Sequence, residues 1–235
     1  MKTVALFGGS FNPPHTGHFD TAAYIHSLLR PDEVWMMFSI NRLKDASAYE
    51  STAHRMAMGE MLSRHYPHVP LVMSDIEEKI GVNETCTVLS ELRKNFPDHR
   101  FVWIMGADNL IHFHQWVNSD EIIRNFPIMI IDRPPYTAQA LQSVTAQTYG
   151  HLRVPDISGF DGKSPGWIFV PNAGAKVISS SDLLRQLRDP ATDMKRDFSG
   201  PFRDVVDYIW TNNLYGVGGT QVSYAGPPRP RAPGL

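Results

Sequence analysis

The chain has 235 residues and a mass of 26.5 kDa, with 42% apolar and 20% charged residues. This composition is typical of one large globular domain and excludes general disorder. The 22 basic and 24 acidic side chains give a net charge of −2. A general nucleic-acid or anionic-membrane binder needs a basic excess, so we expect neither kind of partner.

The cysteine and apolar content indicate where the protein works. Cys86 is the single cysteine, which excludes an intrachain disulfide and a cysteine-built zinc site and favours a reducing compartment. No segment approaches the roughly 18 uninterrupted apolar residues of a transmembrane helix. The apolar run at residues 4–7 is too short for a signal peptide. We therefore predict a cytoplasmic protein.

Short apolar runs, typical of strands buried on both faces of a sheet, alternate along the chain with amphipathic stretches typical of helices. This alternation predicts an α/β fold with a doubly wound, Rossmann-like parallel sheet in a single domain of residues 1–215. The predicted strands are residues 4–7, 34–38, 71–73, 101–105, 128–131 and 167–170, and the predicted helices are residues 18–29, 53–65 and 85–95.

Two segments have no clear pattern of this kind. Residues 136–166 show no period, and we expect a helix and a loose surface excursion there. Residues 216–235 are rich in glycine and proline and are predicted to form a disordered tail.

The fold class predicts where a ligand binds. In open α/β sheets, ligands occupy the crevice beyond the carboxyl ends of the strands. We therefore expect the functional residues directly after Phe7, Phe38, Met105, Ile131 and Val170.

The first of these strand ends is followed by Gly8-Gly9 and by two histidines. Glycines let backbone N–H groups approach a phosphate closely, although Gly-Gly is also common in turns. His15 and His18 can face one side of the first helical turn, where the helix dipole favours an anion. A His-x-x-His pair could also bind zinc, but no third ligand has a recognisable spacing, and the Walker A and G-x-G-x-x-G motifs are missing.

Two motifs carry a family resemblance. The stretch from Gly8 to His18 resembles the signature of the nucleotidylyltransferase superfamily, with its (His/Thr)-x-Gly-His tetrad complete at residues 15–18. Gly106-Ala107-Asp108-Asn109-Leu110, followed by Phe113-His114-Gln115-Trp116, resembles the corresponding segment of bacterial nicotinate-nucleotide adenylyltransferases. The resemblance implies adenylyl transfer from ATP to nicotinate mononucleotide, giving nicotinate adenine dinucleotide and pyrophosphate in NAD biosynthesis.

The resemblance also implies roles for individual residues. It makes His18, His15 and Lys44 catalytic. It places ATP against Gly8, Gly9, Ser10, Phe11, His15, His18, Gly106, Asp108, Ser180, Ser181 and Arg185. It places the mononucleotide against Asn41, Lys44, Thr85, Leu110 and Trp116. Arg133 is a further substrate-binding candidate, because it follows a predicted strand end. Trp116 offers a flat face for the pyridine ring. A position of Arg133 on the surface, without a role in binding, is equally compatible with the sequence. Mg²⁺ is expected to arrive bound to ATP and not to occupy a metal site of the protein.

Several alternatives stay open at this point. Glu84, where the family has a tyrosine, keeps a nicotinamide mononucleotide adenylyltransferase in consideration. A phosphopantetheine adenylyltransferase shares the histidine tetrad but lacks the segment that ends in Trp116. Asp182 occupies the position of the motif's threonine when Arg185 is aligned with its arginine, which allows a non-catalytic nucleotide sensor. A monomer and a homo-oligomer are both compatible with the sequence.

Overall fold

The computed structural model describes residues 1–39, 49–82, 84–171, 179–189 and 198–217. Its strands form one sheet of seven, and every paired neighbour in it is parallel. The strands are β1 (Lys2–Gly9), β2 (Glu33–Phe38), β3 (Leu71–Ser74), β4 (His99–Gly106), β5 (Pro127–Ile131), β6 (Arg153–Val154) and β7 (Gly166–Val170). Their spatial order is β3-β2-β1-β4-β5-β7-β6.

Helices connect the strands and cover both faces of the sheet. The described helices are α1 (Thr16–Leu29), α2 (Thr52–Ser63), α3 (Ile76–Ile80), α4 (Thr85–Asn95), α5 (Ala107–His112), α6 (Ser119–Asn125), α7 (Thr137–Leu141), α8 (Val144–Thr148), α9 (Ser180–Arg188) and α10 (Phe202–Thr211). Short 3₁₀ turns lie at Phe113–Gln115, Gly150–Leu152, Ile157–Gly159 and Leu214–Gly216.

The strand residues alternate between two packed layers, as the twofold period of a strand requires. Val4 and Leu6 pack with residues of α3 to α8, and we call this side the α4 face. Ala5 faces the other side, where α1, α2, α9 and α10 pack, and we call it the α1 face. Because both faces are covered, the central strands are almost wholly apolar, and this made them recognisable in the sequence.

The strand order creates one crevice. The chain runs from β1 outward through β2 and β3, and then returns to place β4 on the opposite side of β1. The connections from the carboxyl ends of β1 and β4 therefore leave in opposite directions, which opens the ligand crevice of doubly wound sheets between them. The predicted fold class is confirmed.

The segment 136–166 differs in part from the prediction. It holds two short helices, α7 and α8, and the two-residue edge strand β6, which pairs with Trp167 and Ile168 of β7. Ala140 and Thr145 are fully buried, so α7 and α8 belong to the packed α4 face and are not a loose excursion. The description as a surface excursion applies only to the largely exposed residues 155–165.

The end of the described chain packs against α2 through α10. Tyr215 and Val217 are buried in the layer on the α1 face. The rest of the predicted tail, residues 218–235, lies outside the described residues, so its disorder stays a prediction. In the part of the chain that the structure describes, no helix is long and apolar enough to cross a membrane.

Candidate active site

The two histidines of the first loop lie side by side at the crevice. His15 is the N-cap of α1, with an extended backbone at φ −146° and ψ 168°. Its backbone N–H donates to Nδ1 of His18 over 3.2 Å, and the two rings stack with their centroids 3.6 Å apart. The helix start therefore holds both imidazoles in one fixed orientation.

Burial keeps both imidazoles neutral at pH 7. It lowers the pKa of His15 to about 3, and the positive charge of Arg133 acts in the same direction. Burial also lowers the pKa of His18 well below its ordinary value, with smaller contributions from His15 and Arg133. Because Nδ1 of neutral His18 accepts a hydrogen bond, its proton is on Nε2, which is thereby available as a donor.

Phe11 forms the wall behind His18. Its backbone has a φ of 42°, and its buried ring lies edge-on to the His18 ring with centroids 4.9 Å apart. A Cβ atom at Gly9 would come within 2.8 Å of the Phe11 ring. Gly9 must therefore lack a side chain for Phe11 to pack here and support His18.

The N-terminus of a second long helix reaches the same loop. The Ser180 hydroxyl, in the first turn of α9, donates to the carbonyl oxygen of Pro13 over 2.9 Å. The N-termini of α1 and α9 thus meet near the histidine pair, and their dipoles both favour an anion there. Ser181 is exposed, and Arg185 is 81% exposed and ion-paired with Asp182 at 2.6 Å on its own helix, so neither is brought against the histidines.

The ends of β4 and β5 add a charged pair. Asp108, two residues beyond the end of β4 at Gly106, accepts from the Arg133 guanidinium over 3.3 Å. Arg133 follows β5 by two residues and is half-exposed. The other Asp108 oxygen, Oδ1, is buried without a hydrogen-bond partner among the described residues. The histidines, Asp108 and Arg133 therefore gather at the ends of three neighbouring strands.

The α4 face supplies an aromatic side to the crevice. Leu110 is fully buried in α5, and Trp116 is partly buried, with its ring 5.2 Å from that of Phe113. Thr85 is the first residue of α4 and is partly exposed. The Thr145 hydroxyl accepts from the backbone N–H of His114 over 3.1 Å, which fixes the turn that presents Trp116.

The sequence does not reveal the structural role of Arg55. Its side chain is fully buried and donates to the carbonyl oxygens of Ser10, Ser39 and Glu50, the last two over 2.9 and 3.0 Å. It thus joins the loop after β1 to the end of β2. Its guanidinium also donates to the hydroxyl of Thr52, three residues earlier, over 3.0 Å. Nothing in the sequence distinguishes this arginine from an exposed one, because its distant partners are backbone carbonyl groups.

Two of the predicted site residues, Asn41 and Lys44, lie in residues 40–48, outside the described residues. Within the described ranges, no group of three or more His, Cys, Asp or Glu side chains could hold a metal ion. The described site therefore offers helix N-termini, neutral imidazole donors and one guanidinium, which is a set suited to binding phosphates.

The parallel sheet with its switch point and anion site defines a nucleotide-binding α/β protein. The cytidylyltransferase-like family profile matches residues 6–186. The chain belongs to this family. The probable nicotinate-nucleotide adenylyltransferase of Agrobacterium fabrum is 39% identical over 186 residues, which cover 77% of this chain and 97% of that protein. Its namesake in Brucella suis biovar 1 is 38% identical over 190 residues, which cover 79% and 95%.

Solved structures agree on the fold. The Plasmodium falciparum nicotinic acid mononucleotide adenylyltransferase complexed with NaAD superimposes with a TM-score of 0.69 at 19% identity, covering 92% of this chain and 98% of that one. A putative nicotinate-nucleotide adenylyltransferase from Vibrio parahaemolyticus gives a TM-score of 0.53 at 20% identity, covering 88% and 99%. The resemblance that the motifs indicated, and the nucleotidyltransferase class of enzyme, are confirmed.

Proposed function

We propose that the protein transfers the adenylyl group of ATP to nicotinate mononucleotide, releasing pyrophosphate and forming nicotinate adenine dinucleotide. The observation that carries this proposal is the meeting of the stacked pair of His15 and His18 with the N-termini of α1 and α9. The names of the curated relatives support the choice of acceptor.

ATP binds as a substrate on the α1 face of the sheet. Its phosphates lie against the two helix N-termini, and the Nε2–H of His18 donates to the oxygens of the α-phosphate as negative charge builds up there. The attacking phosphate of the mononucleotide is already an anion, so it needs no general base. Positioning and charge stabilisation therefore supply the catalysis.

The remaining predicted residues complete the donor site in this proposal. Lys44 balances negative charge on the phosphates. Arg185 does the same once its ion pair with Asp182 is replaced by an ion pair with the triphosphate. Asp108 accepts from the ribose hydroxyls of a nucleotide through Oδ1, which has no hydrogen-bond partner among the described residues. Ser180 and Ser181 provide hydroxyl donors at the start of α9.

The mononucleotide binds as the second substrate on the α4 face of the sheet. The half-buried ring of Trp116 provides the flat surface for the pyridine ring, beside Leu110. Thr85, at the start of the 11-residue helix α4, presents backbone N–H groups to the ring carboxylate. Asn41 and Arg133 serve the ribose phosphate.

Mg²⁺ enters with ATP, and when bound it neutralises charge on the phosphates. The described residues fit this role without a dedicated cage, because none of them form a group of three or more acidic, histidine or cysteine side chains that could hold a metal ion, and Arg133 already occupies one oxygen of Asp108. The ion would therefore neutralise charge while held by its own phosphate and water ligands. The buried free thiol of Cys86 suits the reducing cytoplasm, in which we place the enzyme.

A single assay tests the proposal. The purified full chain is given ATP and Mg²⁺ with nicotinate mononucleotide, nicotinamide mononucleotide or phosphopantetheine, and released pyrophosphate is measured. We expect the highest kcat/KM with nicotinate mononucleotide. A higher kcat/KM with either other acceptor would contradict the proposal. ATP binding in calorimetry with no pyrophosphate from any acceptor would favour a sensor.

A further inference from the structure

Helix α9, whose N-terminus faces the phosphates of ATP in the proposal above, packs on the sheet through a narrow apolar stripe. Leu187 is buried, Leu183 and Leu184 are partly buried, and the other residues from 181 to 188 are exposed. Apolar contacts have no preferred direction, so this stripe does not fix the position of the helix along its axis. Donors at a reaction site must be placed accurately, because a misplacement of about 1 Å can cost a factor of about 100 in rate. We therefore examined the polar contacts of α9.

Two polar contacts lie at opposite ends of this helix. In the first turn, the Ser180 hydroxyl donates to the carbonyl oxygen of Pro13 over 2.9 Å. At the last residue, Arg188 donates through Nε and Nη2 to the carbonyl oxygen of Tyr215 over 3.0 and 2.7 Å. The planar guanidinium directs both donors at one acceptor, which restricts their relative orientation. The end of α9 is thus fixed to residues Leu214–Gly216, which we call the C-terminal turn.

Tyr215 is itself held from two sides. Its backbone has a φ of 59° and a ψ of 19°, a left-handed conformation that is costly for a residue with a large side chain. Its ring is buried in the layer on the α1 face. Its backbone N–H donates to Oε1 of Glu50 over 2.6 Å, while its carbonyl oxygen accepts from Arg188. Other elements therefore use both backbone groups of this one residue.

Glu50 completes a connection to the histidine loop. Its backbone N–H donates to Oδ1 of Asn12 over 3.2 Å, and its carbonyl oxygen accepts from Arg55 over 3.0 Å. Asn12 directly precedes Pro13, the residue that accepts from Ser180. Both ends of α9 are therefore connected to the same short loop, directly at the N-terminus and through the C-terminal turn at the other end.

We propose that Arg188 is a positioning residue, which acts through the C-terminal turn and Glu50 to hold the N-terminus of α9 where it binds the phosphates of ATP. This inference rests on the function proposed above. Arg188 lies eight residues beyond Ser180, about 12 Å along the helix axis, so it acts through the helix and not by touching ATP.

The connection predicts an effect on one substrate only. Leu187 and Tyr215 pack in the layer on the α1 face, whereas the proposed mononucleotide site lies on the α4 face. A displaced α9 therefore weakens the binding of ATP and leaves the mononucleotide site unchanged. A general loss of folding would instead lower the concentration of active enzyme and reduce the apparent kcat without separating the two KM values.

The variant Arg188→Met tests this inference, because it keeps the aliphatic part of the side chain and removes both donors. We expect KM for ATP to rise about five- to twentyfold, near the lower end of the scale for losing hydrogen bonds from a charged group. KM for nicotinate mononucleotide is expected to stay within about twofold of the wild type, because its site is on the other face. Steady-state pyrophosphate release with each substrate varied in turn measures both values.

Two further variants serve as controls. Arg188→Lys keeps the positive charge and a donor, and it is expected to restore at least part of the affinity for ATP. Arg64→Met makes the same substitution at an exposed arginine at the end of α2 and is expected to keep both KM values within about twofold of the wild type.

A double variant tests whether the contacts form one connection. Glu50→Ala removes the acceptor of the Tyr215 N–H and should also raise KM for ATP, so it replaces Arg188→Met if that variant does not fold. Once either contact is lost the connection is interrupted, so the double variant should exceed the larger single effect by no more than about twofold. Independent sites would instead multiply their effects on KM.

Three results would overturn the inference: an unchanged KM for ATP in Arg188→Met, an equal rise in KM for both substrates, or effects that multiply in the double variant. A wild-type enzyme without activity on nicotinate mononucleotide would instead overturn the proposed function.

Discussion

The stacked imidazoles of His15 and His18 act as neutral donors in the free protein. Histidines beside phosphates are often treated as cations, but burial and the charge of Arg133 hold the pKa of each ring below neutrality here. A neutral imidazole has one N–H, and the bond from the His15 backbone to Nδ1 of His18 leaves Nε2 as the donor. This arrangement fixes the direction of the donor before any substrate binds, so no reorganisation is needed during the reaction.

Removal of the His18 ring is therefore expected to reduce turnover sharply. His18→Ala should lower kcat by about 10²–10³, the scale for losing one preorganised transition-state donor. The measurement is steady-state pyrophosphate release, with circular dichroism to verify the fold. His26→Ala, in the last turn of the same helix, is the control and should keep the wild-type kcat. Near-normal turnover of the His18 variant would remove this residue from catalysis.

Some properties of individual residues were predictable from the sequence, and others were not. The pairing of His15 with His18 follows from their spacing at a helix start, which is a local property. The indole N–H of Trp103 is buried without a hydrogen-bond partner among the described residues, and this was not predictable, because it depends on how β4 packs in the sheet. The burial of Arg55 depends in the same way on carbonyl groups that are distant in sequence.

Arg55 holds together the secondary-structure elements around the crevice. Arg55 of α2 donates to the carbonyl groups of Ser10 and Ser39, which directly follow β1 and β2, and to that of Glu50. Glu50 in turn accepts from the backbone N–H of Tyr215 over 2.6 Å through its carboxylate. The loop that carries the histidines is thus connected through α2 to the end of the described chain.

Loss of this guanidinium is expected to destabilise the fold. Arg55→Met leaves three carbonyl groups without their donor and should lower the free energy of unfolding by about 2–5 kcal/mol. Urea denaturation followed by circular dichroism measures the change. Arg64→Met, at the exposed C-cap of the same helix, should stay within about 0.5 kcal/mol of the wild type. A similarly small change in the Arg55 variant would show that the connection is dispensable.

The elements that the sequence predicted are the ones with a strong periodic or continuous apolar signal. The central strands and α1, α2 and α4 were found with their ends displaced by at most two residues. Helices of five to seven residues such as α3, α6 and α7 span less than two full turns, so no amphipathic period develops. Their stability comes from packing against the sheet, which a local pattern does not contain.

Because His15 and His18 are buried, the stability of the whole protein depends on pH. The ordinary pKa of histidine in an unfolded chain is about 6.5, and the pKa of each ring is lower in the folded protein. Below pH 6.5 the unfolded chain therefore binds more protons than the folded one. Stability is constant above that pH as far as these rings are concerned, and it declines as the pH falls from about 6.5 toward 3.

This decline is measurable. We expect the free energy of unfolding in urea to fall between pH 7 and pH 5 by up to about 1.4 kcal/mol per pH unit for each ring. The double variant His15→Asn, His18→Asn removes both groups and should show a shallower decline over the same range. Parallel curves for the two proteins would contradict the assignment of low pKa values to these rings.

The separation of the two layers has a consequence for the history of such enzymes. On the function proposed above, ATP and its acceptor approach one sheet from opposite sides and share only the seam between β1 and β4. Inherited substitutions in α4 to α8, other than at Asp108, can then change which acceptor is used, while the ancestral triphosphate machinery on the other side is passed on intact. New acceptor preferences can arise in separate lineages by divergence of one layer alone.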